Sequence, residues 1–209
     1  MSLPALVRRA ARALDAAPSD ATIDALVGFV ELVRLWNARS NLTGARHDEA
    51  LVDVLLADAF VLADRGVVPQ GARVVDVGAG AGAPTLPLAL IRPDLRVTLL
   101  EPRRLRVAFL RTVIGHFDGL VARARVEEGR LAPDEVPADA PFDLALSRAT
   151  FEPAAWLARG RALAGRVVVL VGQDPLPEAD DRLAERRYAL PFAGTARALA
   201  VYGAKTSSR

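Results

Sequence analysis

The sequence predicts an α/β fold, with a Rossmann-like, mostly parallel seven-stranded sheet behind a lobe of helices. Three observations lead there. From Arg73 onward, apolar runs alternate with helical patterns, as they do in parallel sheets joined by crossover helices. The run at 73–77 leads into alternate glycines at 78, 80 and 82, which let a ligand lie against the backbone where strand turns into helix. Before residue 70, apolar positions follow a helical period alone.

Residues 3–14 place Arg8, Arg9 and Arg12 inside an apolar pattern, so this stretch reads as an amphipathic helix and lacks the unbroken core of a signal peptide. Ile23, Leu26, Val27, Val30, Val33 and Leu35 mark a second helix over 19–39, opened by Ser19 or Asp20 as its cap. A third is expected over 48–64. Residues 1–70 are thus expected to form a helical lobe packed against a core of 71–209 in one compact unit. Strands are predicted at 73–77, 96–100, 122–126, 142–146 and 166–171, with helices near 83–92, 103–115 and 152–163. Pro133, Pro137 and Pro141 mark a loop before the fourth strand. Beyond Gly172 the pattern predicts a short helix around 178–186 and a last strand around 197–203.

A chain of 209 residues, 52% of them hydrophobic, can bury one good core. No apolar run approaches the ~20 residues of a membrane span, and a cytoplasmic location is expected. The absence of cysteine excludes disulfides, thiolate metal sites and cysteine catalysis, while His47 and His116 are too isolated to suggest zinc, so metal-free chemistry is expected. The formal charge of +2 is nearly neutral, but residues 1–70 hold 7 arginines against 9 acids and the basic excess lies with the glycine loop. Lys205 is the only lysine; arginine engages phosphate through two donors at once, and a solvated surface looks similar.

Gly78-x-Gly80-x-x-Ala83 satisfies the dinucleotide fingerprint as well as the loop of S-adenosylmethionine (AdoMet) enzymes. Asp76, two residues before the first glycine, favours the second, because a carboxylate there repels a pyrophosphate and suits a ligand carrying an ammonium and a sulfonium. A glycine-rich turn without a ligand is the plain alternative. Twenty-three residues after Gly78, Glu101 ends the next apolar run, where a carboxylate would meet ribose hydroxyls.

Several segments between 36 and 173 are together distinctive: Trp36-Asn37-x-x-x-Asn41-Leu42-Thr43, Asp76-Val-Gly-x-Gly-x-Gly-x-Pro84, Leu99-Leu100-Glu101, Arg106-Val-x-Phe-Leu-Arg111, and Phe142-Asp143 through Ser147-Arg148-Ala149. In these the chain resembles the bacterial GidB/RsmG family, AdoMet-dependent methyltransferases that act on guanine N7 in small-subunit ribosomal RNA. The resemblance implies a class I AdoMet-dependent methyltransferase fold. It also implies that Gly78 and Ala83 contact AdoMet, with Leu131 and Ala132 bordering the adenine and Glu101 holding the ribose; Asp76, Gly80 and Gly82, read above from the loop itself, complete the expected cofactor site. Arg148 would reach the active site as catalytic and cofactor-binding residue, and Asn41 and Arg106 would meet substrate. Ribosomal RNA or the small subunit is the implied partner, with no metal and no membrane, and a monomer is expected. The plainer roles are an ion pair for Arg148, a helix end or turn for Asn41, and packing for Trp36 and Trp156.

The chain also departs from that pattern. The family's His-x-x-Asp-Ser falls on Leu55-x-x-Asp58-Ala59, the glycine after the loop proline is Thr85, and Leu105 replaces a lysine beside Arg103 and Arg104. Leu-Lys-Gly reads Leu170-Val171-Gly172, and an acidic pair after Gly129-Arg130 reads Ala132-Pro133, with Asp134 and Glu135 two places late. These changes leave open a methyltransferase of the same fold with another acceptor, or a non-catalytic AdoMet-binding relative. Guanine N7 already carries an in-plane lone pair, so its methylation needs no general base. Arg148, permanently protonated, would anchor rather than deprotonate.

Overall fold

The computed structural model describes residues 1–132 and 135–203; Pro133, Asp134 and Lys205 lie outside them. Three helices come first, α1 (Leu3–Ala13), α2 (Asp20–Ser40) and α3 (Asp48–Leu62). Ser19 caps α2, its hydroxyl accepting the Thr22 N–H at 3.2 Å, and Asn41 ends that helix in the left-handed conformation. His47 opens α3 through its ring Nδ1, with Asp48 and Glu49 in the first turn where negative charge suits the exposed N–H groups. α3 is buried on almost every side because α1 and the helix after β1 flank it.

The sheet runs in the order β3-β2-β1-β4-β5-β7-β6, from β1 (Arg73–Val77), β2 (Arg96–Glu101), β3 (Ala124–Glu128), β4 (Phe142–Ser147), β5 (Ala164–Val171), β6 (Arg182–Ala189) and β7 (Ala196–Gly203). The first five are parallel; β7 runs antiparallel between β5 and β6. Helices α4 (Thr85–Ile91), α5 (Arg104–His116), α6 (Asp118–Val121) and α7 (Pro153–Gly160) connect the strands. Alternation along β1 divides the core. Val74, with Leu99 and Leu144, faces Leu26, Phe29 and Leu56 of the helical segment, whereas Val75 and Val77 face Trp156 and Leu157 of α7.

One expectation is corrected. The segment predicted as a helix around 178–186 is β6, an edge strand; its Arg, Leu, Ala and Glu favour helices, but pairing with the buried run of β7 overrides that preference. α6, a single turn, had no signal of its own. Elsewhere the predicted elements occur with ends displaced by at most three residues, and Pro84, within the helix predicted near 83–92, stands just outside α4. No described helix is long and apolar enough to cross a membrane.

Candidate active site

Strand order reverses between β1 and β4, and ligands of open α/β sheets bind outside the carboxyl ends of such strands. Here the turn after β1 is fixed by the Gly78 and Ala79 N–H groups, both donating to the Leu100 carbonyl at 2.9 and 3.1 Å. Gly78 has φ +81°, and a Cβ on it would lie 2.5 Å from the Thr150 hydroxyl, so only glycine fits. Gly82, at φ +77°, is needed for packing: a Cβ would strike Leu86 and Leu110 at 2.6 and 2.8 Å.

A cavity of about 330 Å³ opens beside this loop. It gathers Asp76, Gly78, Gly80, Ala83, Arg106 and Arg148 from the expected set. Asp76 is buried, and its Oδ2 accepts the Thr85 hydroxyl at 2.6 Å. Burial pushes its carboxyl up to about 7 and Glu101 adds to the rise; the Thr85 hydrogen bond and the Arg148 charge oppose it. Thr85, where the resembling family carries glycine, is therefore a partner of the carboxylate at the base of the cavity. Glu101 is buried behind the loop and holds it, accepting the Gly80 N–H at 2.8 Å and the Arg103 N–H at 3.0 Å. Each of its oxygens retains a second lone pair.

Ser147-Arg148-Ala149 divides its work residue by residue. The Ser147 hydroxyl donates to the Val77 carbonyl at 2.7 Å and locks β4 to β1. Ala149 has φ +54°, a strained value for alanine of the kind found at functional sites. Between them Arg148 turns toward α3, where its Nη1 donates to the Val54 carbonyl at 2.6 Å and to Asp58 Oδ2 at 3.0 Å. Asp58 Oδ1 in turn accepts the Tyr188 hydroxyl at 2.6 Å. Burial, reinforced by the Asp58 charge, raises the Tyr188 pKa above its ordinary value, which keeps the phenol a neutral donor. Arg148 thus has the ion pair that its plainer role foresaw and also lines the cavity.

Other expected residues stand apart. Asn41 is not in the cavity wall, although its neighbours Leu42 and Thr43 are. Asn37 brings them there: its Oδ1 accepts the Thr43 N–H at 2.9 Å and its Nδ2 donates to the Thr43 carbonyl at 3.0 Å. Leu131 lines a separate cavity of about 120 Å³ with Leu100 and Glu128, and the Ala132 N–H donates to Glu135 at 3.0 Å. Trp36 meets Phe109 edge to face, and the Trp156 indole donates to the Val168 carbonyl at 2.8 Å, so both are packing residues. Leu55, at the place of the family's histidine, lines the cavity and makes that wall apolar.

Sequence reasoning missed Arg197. It opens the buried run of β7, reaches the cavity beside Arg148, and its Nε is buried without a hydrogen-bond partner among the described residues. A lone arginine just before the apolar run of 198–202 was the available signal, and it is indistinguishable from a strand-end charge in sequence.

Residues 22–189 match the model of the GidB family, described as rRNA small subunit methyltransferase G. The chain is 46% identical over 123 residues to the ribosomal RNA small subunit methyltransferase G of Frankia casuarinae, covering 58% of this chain and 45% of that one. It is 40% identical over 124 residues to that of Serratia proteamaculans, covering 59% and 57%. The chain spans about half the length of the curated relatives it matches. Among solved structures it resembles Escherichia coli yhhF, with a TM-score of 0.51 and 21% identity over 69% of this chain and 83% of that one. It also resembles a precorrin-6y C5,15-methyltransferase from Geobacter metallireducens, with a TM-score of 0.50 and 11% identity over 69% and 87%. The fold is the class I methyltransferase fold, as the resemblance implied.

Proposed function

The chain belongs to the GidB family, and on that premise we propose that it is an AdoMet-dependent methyltransferase acting on guanine N7 of small-subunit ribosomal RNA. The observation that carries the reading is the cavity at the sheet's reversal point, where Asp76 lies behind a loop whose Gly78 leaves no room for a side chain. That space and that carboxylate fit a ligand with an ammonium and a sulfonium. Gly78, Gly80 and Ala83 would line its bed, Asp76 would face its cationic part, and Glu101 would accept from its ribose through the free lone pairs. Leu131 and Ala132 would border its adenine. When bound, AdoMet supplies an electrophilic methyl group.

The protein's own part is positioning. N7 needs no deprotonation, so the wall formed by Leu42, Leu55 and Val54 excludes water while arginines hold the acceptor in line. Arg148 and Arg106, both at the cavity, are suited to O6 of the guanine, which leaves the N7 lone pair free, or to a phosphate of the target nucleotide, and Asn41 to the approach of RNA. A monomeric state and a cytoplasmic location belong to the same reading.

Purified protein is incubated with methyl-tritiated AdoMet and small ribosomal subunits from a strain lacking the guanine-N7 mark. Label in one N7-methylguanine, lost in Arg148→Ala, is expected. No label, beside an active ordinary family member, would overturn the reading. One observation favours a different acceptor: Leu55 removes a polar group from the cavity wall. Label on a metabolite and none on RNA would establish that second reading.

A further inference from the structure

Arginines also converge at the opposite, amino end of the sheet. A cavity of about 400 Å³ is walled there by Arg73 and Arg96, the first residues of β1 and β2, and by Arg123 and Arg125 at the start of β3. Asp139 is the one acid in its wall among the described residues. Arg73 and Arg96 are direct partners in the β1–β2 register, so two like charges sit side by side on neighbouring strands.

Two of the four guanidinium groups are fixed by uncharged acceptors. Arg73 donates to the Pro141 carbonyl at 3.1 Å and to that of Asp139, with its guanidinium 5.4 Å from the centre of the Phe142 ring. Arg123 donates to the Leu95 and Ala89 carbonyls at 3.2 and 2.8 Å, the latter in the last turn of α4. Those bonds orient the groups without cancelling their charge, although the carbonyl end of α4 contributes a partial negative charge. Among the described residues the Asp143 side chain accepts the backbone N–H of Arg73 alone, at 2.7 Å. Arg125 pairs with Glu127 and Asp139. Arg96 is exposed and has no ion pair or side-chain hydrogen bond among the described residues. Bonding to loop and helix carbonyls accounts for Arg73 and Arg123; it does not account for Arg96, nor for four cations around one cavity.

We propose that this pocket is a phosphate site that takes the sugar–phosphate backbone of the RNA substrate. The inference rests on the ribosomal-RNA reading and deepens it. Guanidinium groups grip phosphate oxygens through paired donors, and such contacts set register without reading bases. A strand of five or six residues at about 3.3 Å per residue separates this pocket from the methyl-transfer cavity by roughly 15–20 Å. A folded RNA spans that distance and a metabolite does not, so only a macromolecular acceptor can engage both sites at once.

The test uses the whole protein and a naked small-subunit RNA, with binding measured over roughly 50–300 mM potassium chloride. Arg96→Ala is expected to weaken binding about threefold and to lower the salt slope by about one phosphate contact, and Arg96→Glu to weaken it about tenfold or more. AdoMet affinity and the thermal midpoint should stay at wild-type values, since Arg96 is exposed and far from the loop. Wild-type affinity and slope in both variants would overturn the phosphate site while leaving the methyltransferase reading intact. A wild-type protein that binds the RNA yet transfers no methyl group sinks the function instead, and one that binds no RNA sinks both.

Discussion

Arg148 and Asp58 are 90 residues apart in the chain and meet at 3.0 Å at the rim of the cavity. The carboxylate is shared with Tyr188, so one buried acid ties together α3, the end of β4 and β6. Removing one partner of a buried pair leaves the other uncompensated, and since Arg148 keeps some solvent, Asp58→Ala should cost about 2–3 kcal/mol. Urea denaturation measures that loss. Because Arg148 would be left with the Val54 carbonyl as its one acceptor among the described residues, its aim would loosen, and methyl transfer should fall about tenfold or more even where the variant is fully folded, with the effect on kcat greater than on AdoMet affinity.

Asp76 sets a pH dependence. Its folded pKa, near 7 because of burial, lies above the ordinary 3.8, so between those values the folded state holds a proton that the unfolded state has lost. This contribution to stability is complete below pH 3.8, declines as pH rises toward 7 and is constant above. Asp76→Asn should therefore be more stable than wild type at pH 8, by about 2–4 kcal/mol, with the gap closing toward pH 4. Calorimetry at pH 6.5 in buffers of different ionisation enthalpy should also find proton release when AdoMet binds, absent in Asp76→Asn. Thr85→Val, which removes a bond to the ionised carboxylate, should move the pH midpoint of AdoMet binding upward.

At Gly78 conformation and space act separately. Gly78→Ala combines a left-handed backbone, worth about 1–2 kcal/mol for alanine, with collision against Thr150. The double variant Gly78→Ala/Thr150→Ala relieves only the collision. Thermal denaturation should show partial recovery of stability, while AdoMet affinity stays low because the added methyl group still faces the cavity.

Asn37 holds the 41–45 loop through paired bonds to Thr43. Asn37→Ala should cost about 1–2 kcal/mol and expose the Thr43 amide, read as faster hydrogen exchange at that residue. A looser Leu42–Thr43 wall should raise the Kd for AdoMet several-fold. Unchanged exchange at Thr43 would mean that the loop is held by Leu42 packing alone.

Much of the sheet was legible because its inner strands are short β-branched runs: Val74, Val75 and Val77 in β1 or Val167, Val168 and Val169 in β5 admit one reading. β6 was not, since Arg182-Leu-Ala-Glu-Arg-Arg-Tyr-Ala is half-exposed throughout and owes its form to β7. The loop glycines and Asp76 were legible because their local geometry demands those residue types. What surrounds Arg148 was not, because Asp58, Tyr188 and Arg197 come from three distant segments that only the fold unites. In sequence Asp58 stands out as the surviving acid of an altered motif, but nothing there pairs it with Arg148.

The same contrast between inner and outer strands bears on solubility. β3 and β6, which form the two open edges of the sheet, carry Arg125, Glu127 and Glu128 on one side and Arg182, Glu185, Arg186 and Arg187 on the other. Unsatisfied edge N–H and C=O groups invite a strand from a second chain, and charged side chains make that addition unfavourable. Exchanging the outward charges of β6 for valine would preserve the β6–β7 pairing and remove its protection, turning a well-folded monolayer edge into a seed for aggregation.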